Sequence, residues 1–137
     1  MAFWHGFFKK IFSPDNHEME LEAVKNEWDI NKLRDIACSS KFFDVRIEAV
    51  NKLNDEAVLV DVALGDSNQK VRKAAIKRIG DNNVLADIAL NDSNSNIRKE
   101  AIKKIADELV LREIAKKDSN RDVRELAEKR LEQLGCS

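Results

Sequence analysis

The chain contains 137 residues, of which 43% are hydrophobic and 36% are charged, and its formal net charge is −1. This length predicts one domain, and so large an apolar fraction excludes a disordered chain. A net charge near zero provides no overall attraction to nucleic acid or to an anionic membrane.

Residues 1–13 form an aromatic segment that differs in composition from the rest of the chain. Its apolar side chains share one face of a predicted helix: Trp4, Phe7, Phe8, Ile11 and Phe12. Two lysines interrupt the apolar run, so we expect neither a signal peptide nor a membrane-spanning helix. Three roles remain open: a cap on the first repeat that meets Trp28, Phe42 and Phe43, a helix that docks on a membrane surface or partner, and a dimer contact.

Residues 14–137 repeat with a period of 26 residues. A Val-Arg or Ile-Arg pair recurs at this spacing, beginning at positions 45, 71, 97 and 123. Alanine, leucine and aspartate follow the same spacing: Ala23, Ala49, Ala75, Ala101 and Ala127; Leu33, Leu59, Leu85 and Leu111; Asp29, Asp55, Asp81 and Asp107. We call each such set a column. The columns predict one repeat domain, with units near 19–44, 45–70, 71–96 and 97–122 and a C-terminal half unit at 123–137.

Each unit is predicted to contain two helices. In the third unit, Val71, Ala75 and Ile76 share one face of the first helix. Asn68 and Asp81 precede the first and second helices as N-caps. Because the connections are only a few residues long, neighbouring helices should run antiparallel. The predicted fold is all-α, an α-α superhelix (solenoid) of antiparallel two-helix repeats, with about four and a half units plus the N-terminal aromatic helix.

The stretch DSNQKVRKAAIKRI at positions 66–79 resembles the HEAT-repeat superfamily, in the short form of the phycobilisome-lyase-type HEAT-like repeats. The resemblance covers nearly the whole chain, although typical HEAT units contain about 40–47 residues. It implies an architecture and not bilin chemistry. The leucine-rich variant repeat is similar in length, but the iron–sulfur cysteine cluster of that family is absent from this sequence.

In HEAT repeats an Asp ahead of the first helix bonds to an Arg six residues later, and these pairs form a ladder along the stack. The resemblance implies this structural role for three pairs: Asp66 and Arg72, Asp92 and Arg98, Asp118 and Arg124. The first unit departs from the pattern, because Ser40 stands six residues before Arg46. We therefore expect the ladder to start incomplete.

Basic residues form three columns on the first helices: Lys73 and Lys99; Lys77, Lys103 and Lys129; Lys52, Arg78, Lys104 and Arg130. Side chains stacked about 10 Å apart could follow phosphates. All eight aromatic residues lie within the first 43 positions, so base stacking along the repeats is not expected. A solvated face is the simpler interpretation. Some HEAT-like proteins, the alkylpurine DNA glycosylases, bind DNA, so the resemblance keeps nucleic-acid binding as an alternative.

Acidic residues form one column on the second helices: Asp35, Asp61, Asp87 and Glu113. Arg34 and Arg112 lie beside the ends of this column, and Val60 and Ala86 lie beside its centre. If the second helices line a concave side, as in HEAT proteins, the column could bind a basic or mixed peptide. The alternative is ion pairing with lysines of adjacent turns, worth about 0–1 kcal/mol per pair.

The sequence predicts a non-catalytic protein–protein interaction scaffold or adaptor. No nucleophile–base pair, phosphate-binding loop or metal-ligand spacing is present, so we expect no catalytic residues, cofactor or metal. The two cysteines, Cys38 and Cys136, form no metal or disulfide motif, which fits the cytoplasm. The alternatives are a nucleic-acid-binding protein and an enzyme of glycosylase or lyase type. The expected partner is an unidentified protein or peptide, with a membrane surface possible only through residues 1–13, and the chain is expected to be a monomer or homodimer.

Overall fold

A computed structural model of the chain describes residues 16–136. This part consists of nine α-helices and contains no β-strand, which confirms the all-α class for the residues described. In chain order the helices are α1 (His17–Lys25), α2 (Ile30–Ser39), α3 (Phe43–Lys52), α4 (Glu56–Gly65), α5 (Gln69–Ile76), α6 (Asn82–Asn91), α7 (Ser95–Ile102), α8 (Glu108–Lys117) and α9 (Arg121–Gln133). The aromatic segment predicted at 1–13 lies outside the described residues.

The helices alternate between two types, which we call first-type (odd-numbered) and second-type (even-numbered). Each second-type helix packs against the first-type helix that follows it, giving the pairs α2–α3, α4–α5, α6–α7 and α8–α9. Three residues connect the helices of each pair, and so short a connection makes them antiparallel neighbours. The two helices of each pair therefore belong to different predicted units: the second helix of one unit and the first helix of the next.

Helices of the same type also pack on each other. The five first-type helices contact one another in sequence and form one row, whereas the contacts between second-type helices are looser. Small side chains permit the close approach in the first row. Ala49, Ala75, Ala101 and Ala127 are completely buried there. Each 26-residue step presents the same small side chain, so the same packing recurs along the row.

Aspartate and asparagine N-caps begin most of the helices, as predicted. Asp81 Oδ1 accepts the backbone N–H groups of Asn83 and Val84, at 2.9 and 3.2 Å. The other second-type helices begin in the same way, at Asp29, Asp55 and Asp107. Asparagine side chains cap α5, α7 and α9. Each cap contributes about 1 kcal/mol, so local hydrogen bonds set the helix starts.

The alanine column generates a testable prediction. Replacing Ala75 by leucine should lower the free energy of unfolding by about 1–3 kcal/mol, because the added methyl groups force α5 away from its neighbours. Ala57→Leu, at an exposed position of α4, should change it by less than about 0.5 kcal/mol. Urea unfolding followed by circular dichroism measures both variants. Equal effects would show that this column does not control helix spacing.

Candidate functional site

Three arginines link successive helix pairs, and each donates three hydrogen bonds to two different residues. Arg72 donates from Nη1 to the backbone carbonyl of Asp66, six residues earlier, at 2.7 Å. Its Nε and Nη2 donate to the carboxylate of Asp92, twenty residues later, at 3.0 and 3.3 Å. Arg46 and Arg98 repeat this arrangement. The six-residue pairs implied by the resemblance are therefore bonded, but through the backbone of the aspartate.

The carboxylates of the ladder are buried, and they already accept hydrogen bonds from arginine side chains and from the backbone. Side-chain exposure is 8% for Asp66, 7% for Asp92 and 6% for Asp118. Each carboxylate also accepts the backbone N–H two residues ahead, at 2.8–2.9 Å. Burial alone would raise the pKa of Asp118, but hydrogen bonds from Arg98 and from the backbone of Asn120 hold that pKa below its usual range. These residues therefore connect the helix pairs and do not form a ligand site.

The ladder starts one step earlier than expected, with a different pair. Arg46 is fully bonded, because it needs only the backbone carbonyl of Ser40, at 2.7 Å. Glu20 occupies the arginine column of the first unit and is 8% exposed. Ser40 Oγ donates to Glu20 Oε2 at 3.0 Å. A Glu–Ser hydrogen bond thus replaces the Arg–Asp pair at the first position.

One basic column also has a structural role. Lys104 Nζ donates to the carbonyls of Ile76 and Ile79, at 2.8 and 2.6 Å. Lys52, Arg78 and Arg130 likewise donate to carbonyls near the end of the preceding first-type helix. A cation at this end satisfies unpaired carbonyls and the helix dipole. This column is therefore not available to follow phosphates.

Three lysines of the other two columns line a groove between α5 and α7. The groove has a volume of about 400 Å³, and its lysines are Lys70, Lys73, Lys99 and Lys103. Glu100 lies among them, 3.5 Å from Lys73 Nζ and 3.1 Å from Lys103 Nζ. The carboxylate neutralises part of the positive charge of the groove.

The acidic column lies on the exposed face of the second-type helices. All four members are exposed: Asp35, Asp61, Asp87 and Glu113. Asp87 accepts a hydrogen bond from Asn91 at 2.7 Å, and Glu113 lies 3.8 Å from Lys117, both contacts within one helix. Among residues 16–136, no ion pair joins this column to a lysine of another helix. The structure therefore places the four carboxylates on one surface, without the predicted pairing.

The neighbouring arginines are bound elsewhere. Arg34 Nη2 lies 2.7 Å from Asp55 Oδ2, the N-cap of α4. Arg112 Nη2 lies 2.7 Å from Glu108 Oε1, one turn away in α8. These arginines therefore leave much of the negative charge of the acidic column uncompensated.

The thiol of Cys38 lies near carboxylates of α2 and α4. Partial burial raises the pKa of its thiol, and the nearby carboxylates of Asp61 and Asp35 raise it further. Leu64, one repeat after Cys38, is 48% exposed, and Val60 is half-buried. This surface combines carboxylates with apolar side chains.

The aromatic residues proposed for partner binding are only partly described. Trp4, Phe7, Phe8 and Phe12 lie outside residues 16–136. Trp28 precedes α2 and is 74% exposed, with Lys52 Nζ 4.3 Å from its ring centroid. Phe42 follows α2 and packs on His17, with ring centroids 4.7 Å apart. Because the ten residues of α2 span about 15 Å, the structure does not bring Trp28 and Phe42 together.

No family model, curated protein or solved structure matches the chain. The resemblance to HEAT repeats therefore stays a prediction. Within residues 16–136, no helix has the length and apolar character needed to cross a bilayer. The same residues contain no group of three or more histidine, cysteine, aspartate or glutamate side chains placed to hold a metal ion.

The ladder generates a pH-dependent prediction. Because the pKa of Asp118 is lowered in the folded chain, its contribution to stability is complete above the unfolded value of about 3.9 and is lost as the pH falls through the folded value. Asp118→Asn should lower the free energy of unfolding by about 3 kcal/mol near pH 7. The difference from the unmodified chain should shrink below about pH 4.

Urea unfolding across this pH range measures the effect. Asp87→Asn, at an exposed carboxylate on α6, is the matched control and should stay within about 0.5 kcal/mol of the unmodified chain. A loss for Asp118→Asn that does not change with pH would contradict an ionic contribution from this pair.

Proposed function

We propose that the chain is a non-catalytic protein-interaction scaffold, and that its acidic column binds a basic, extended segment of a partner protein. The observation that carries this proposal is the exposed register of Asp35, Asp61, Asp87 and Glu113 on four successive second-type helices. Charged side chains without inter-helix partners do not hold the fold together, so they remain available to a ligand.

Repetition of one helix pair supports the scaffold architecture. The same second-type to first-type packing occurs four times in the described residues, and Arg46, Arg72 and Arg98 link successive pairs through the same bonds. We interpret this arrangement as an α-α superhelix of HEAT-like repeats. The closer packing of the first-type row favours curvature towards that row. The acidic column would then lie on the outer side and not on the concave side suggested by the resemblance.

The spacing of the column defines the partner that it fits. Packed helices lie about 10 Å apart, and the more loosely packed second-type helices lie at least that far apart. An extended chain advances about 3.3 Å per residue, so every third position is the closest spacing at which each basic residue faces its own carboxylate. Val60 and Leu64 lie on the same helix as Asp61 and are partly or largely exposed, which favours apolar residues among the basic ones. The predicted ligand is a segment with lysine or arginine at every third position and apolar residues between them.

A labelled peptide with arginine at every third position tests the proposal by fluorescence anisotropy. The triple variant Asp35→Lys, Asp61→Lys, Asp87→Lys should weaken binding at least about tenfold, since each lost charge contact contributes up to about 1 kcal/mol. The control variant carries the same change in charge at exposed carboxylates of α9: Glu125→Lys, Glu128→Lys and Glu132→Lys.

The control should bind the peptide nearly as well as the unmodified chain. Equal losses in the two triple variants would mean that net charge, and not the acidic column, attracts the peptide. A second peptide with arginine at every second position should bind more weakly, because its charges do not match the helix spacing. Circular dichroism checks that both variants keep their helices.

The lysine groove between α5 and α7 is the surface on which the alternative function, binding to nucleic acid, would depend. The groove is lined by Lys73, Lys99 and Lys103. Contacts between lysines and the phosphates of a nucleic acid weaken steeply as the salt concentration rises. A gel shift with single-stranded DNA at low ionic strength tests this function. We expect no shift, because Glu100 already pairs with two of these lysines. A shift that disappears in Lys73→Glu, Lys99→Glu would favour nucleic acid over the peptide.

A further inference from the structure

A pocket of about 330 Å³ opens between α1 and α2, at the start of the described residues. Ala23, Val24 and Ile36 form part of its apolar wall. Glu20 and Asp35 lie at the same pocket, together with Glu27, so its charged groups are mainly acidic. The pocket lies where the first repeat has no preceding helix pair among residues 16–136.

Comparison with later units shows which cover the first unit lacks at this pocket. In the alanine column, the members at 49, 75, 101 and 127 are completely buried, whereas Ala23 is half-buried. In the column of Ile36, the later members at 62, 88 and 114 are at most 4% exposed, whereas Ile36 is half-buried. Each later unit is covered by the second-type helix of the unit before it. The first unit lacks that cover in the described residues.

The repeat register identifies a segment of this chain that matches the missing helix. Subtracting 26 from the bounds of α2 gives residues 4–13. Phe7 then falls in the buried leucine column, whose members are at most 2% exposed. Lys10 falls in the column of Ile36, which faces the preceding unit. A charged side chain at that position would give residues 4–13 a polar outer face, of the kind that ends a repeat array.

The connection and the charges are also compatible with this placement. Residues 14–16 would join the segment to α1, and three residues join the two helices of every other pair. Asn16 stands in the column of the N-cap asparagines Asn68, Asn94 and Asn120. Lys9 falls in the column of Asp35 and carries the charge opposite to that of this carboxylate at the pocket.

We propose that residues 4–13 of this chain occupy the pocket between α1 and α2 as the first second-type helix, with Phe7 in the leucine position. The array then consists of five complete helix pairs. Trp4 and Phe12 fall in exposed columns, since Ile30 and Leu64 are 61% and 48% exposed. These two aromatic side chains would extend the second-type surface that carries the acidic column.

Cross-linking to Cys38 tests the placement. In a chain with Cys136→Ser, Cys38 is the only thiol, and Phe12→Cys adds a second thiol one repeat earlier in the same column. Second-type helices pack more loosely than directly packed helices, which lie about 10 Å apart, so a bismaleimide whose reach exceeds that distance should link the two thiols within one chain. The pKa of Cys38 is raised by burial, Asp61 and Asp35, so the reaction is run at mildly alkaline pH. Lys129→Cys, at the other end of the array, should give no intramolecular link.

Two further substitutions distinguish the buried position from the exposed one. Added to the Phe12→Cys chain, Phe7→Asp should reduce the yield of the intramolecular link about tenfold, because a carboxylate in the apolar pocket is strongly disfavoured. Trp4→Asp, on the same segment, should leave the yield unchanged. Equal yields for the two variants would overturn the placement of Phe7.

The oligomeric state of the linked product decides between this chain and other occupants. A link within the monomer supports the proposal. A link between two chains would assign the pocket to the segment of a second copy and overturn it. A chain that keeps its helical circular dichroism but forms no link would also overturn it. None of these outcomes depends on whether the acidic column binds a peptide.

Discussion

The bridge between an arginine of one helix pair and an aspartate of the next is the interaction on which the arrangement of this molecule depends. Each helix pair presents a small apolar face, and the alanine columns allow neighbouring pairs to approach closely but define no direction of stacking by themselves. The arginine side chain adds that direction, because its Nη1 is held by a carbonyl of its own pair while its other nitrogens reach the next carboxylate. Such a buried pair is costly to break from one side, since the remaining charge would lie without a partner. The same geometry repeated at Arg46, Arg72 and Arg98 orients successive pairs alike.

The charged residues of the described chain fall into two groups, those bonded within the fold and those without partners between helices. One group is already bonded within the fold. The N-cap aspartates accept backbone N–H groups, the ladder aspartates accept hydrogen bonds from arginines, and the column of Lys104 donates to backbone carbonyls. The other group is the acidic column on the second-type helices, which has no comparable partners between helices. Two of its carboxylates, Asp61 and Asp35, add to the effect of burial in raising the pKa of the Cys38 thiol. A protein with so high a charged fraction can therefore offer a one-sign binding surface although its net charge is −1. The proposed interaction with a basic segment depends on this unequal distribution and not on total charge.

The two ends of the array solve the same physical problem. A repeat that covers its neighbour leaves an apolar face uncovered wherever the repetition stops. At the last helix, Glu128 replaces the apolar residue that earlier units carry at that position, such as Ile102, and is exposed. At the first described helix, the partial exposure of Ala23 and Ile36 leaves an apolar pocket. We propose that the aromatic segment covers this pocket, because its register, the length of its connection and the charge of Lys9 are compatible with that placement.

The sequence by itself determined the helices of the described residues, most of their N-caps and the columns that are buried. These features are local, since an N-cap such as Asp81 bonds two and three residues ahead, and the buried face follows from helical periodicity. The aromatic segment and the superhelical arrangement stay predictions. Tertiary structure alone decided which of two equivalent aspartates receives the carboxylate bond of each arginine. Because a period of 26 residues places the same residue in every unit, Asp66 and Asp92 are indistinguishable as partners of Arg72 until the pairs are stacked. For the same reason the sequence could not separate Lys104, which reaches carbonyls some 28 residues away, from the lysines that remain in solvent. Repetition of the sequence allows the helices and their N-caps to be predicted, but the bonds between repeats depend on the distance and angle at which the helix pairs pack.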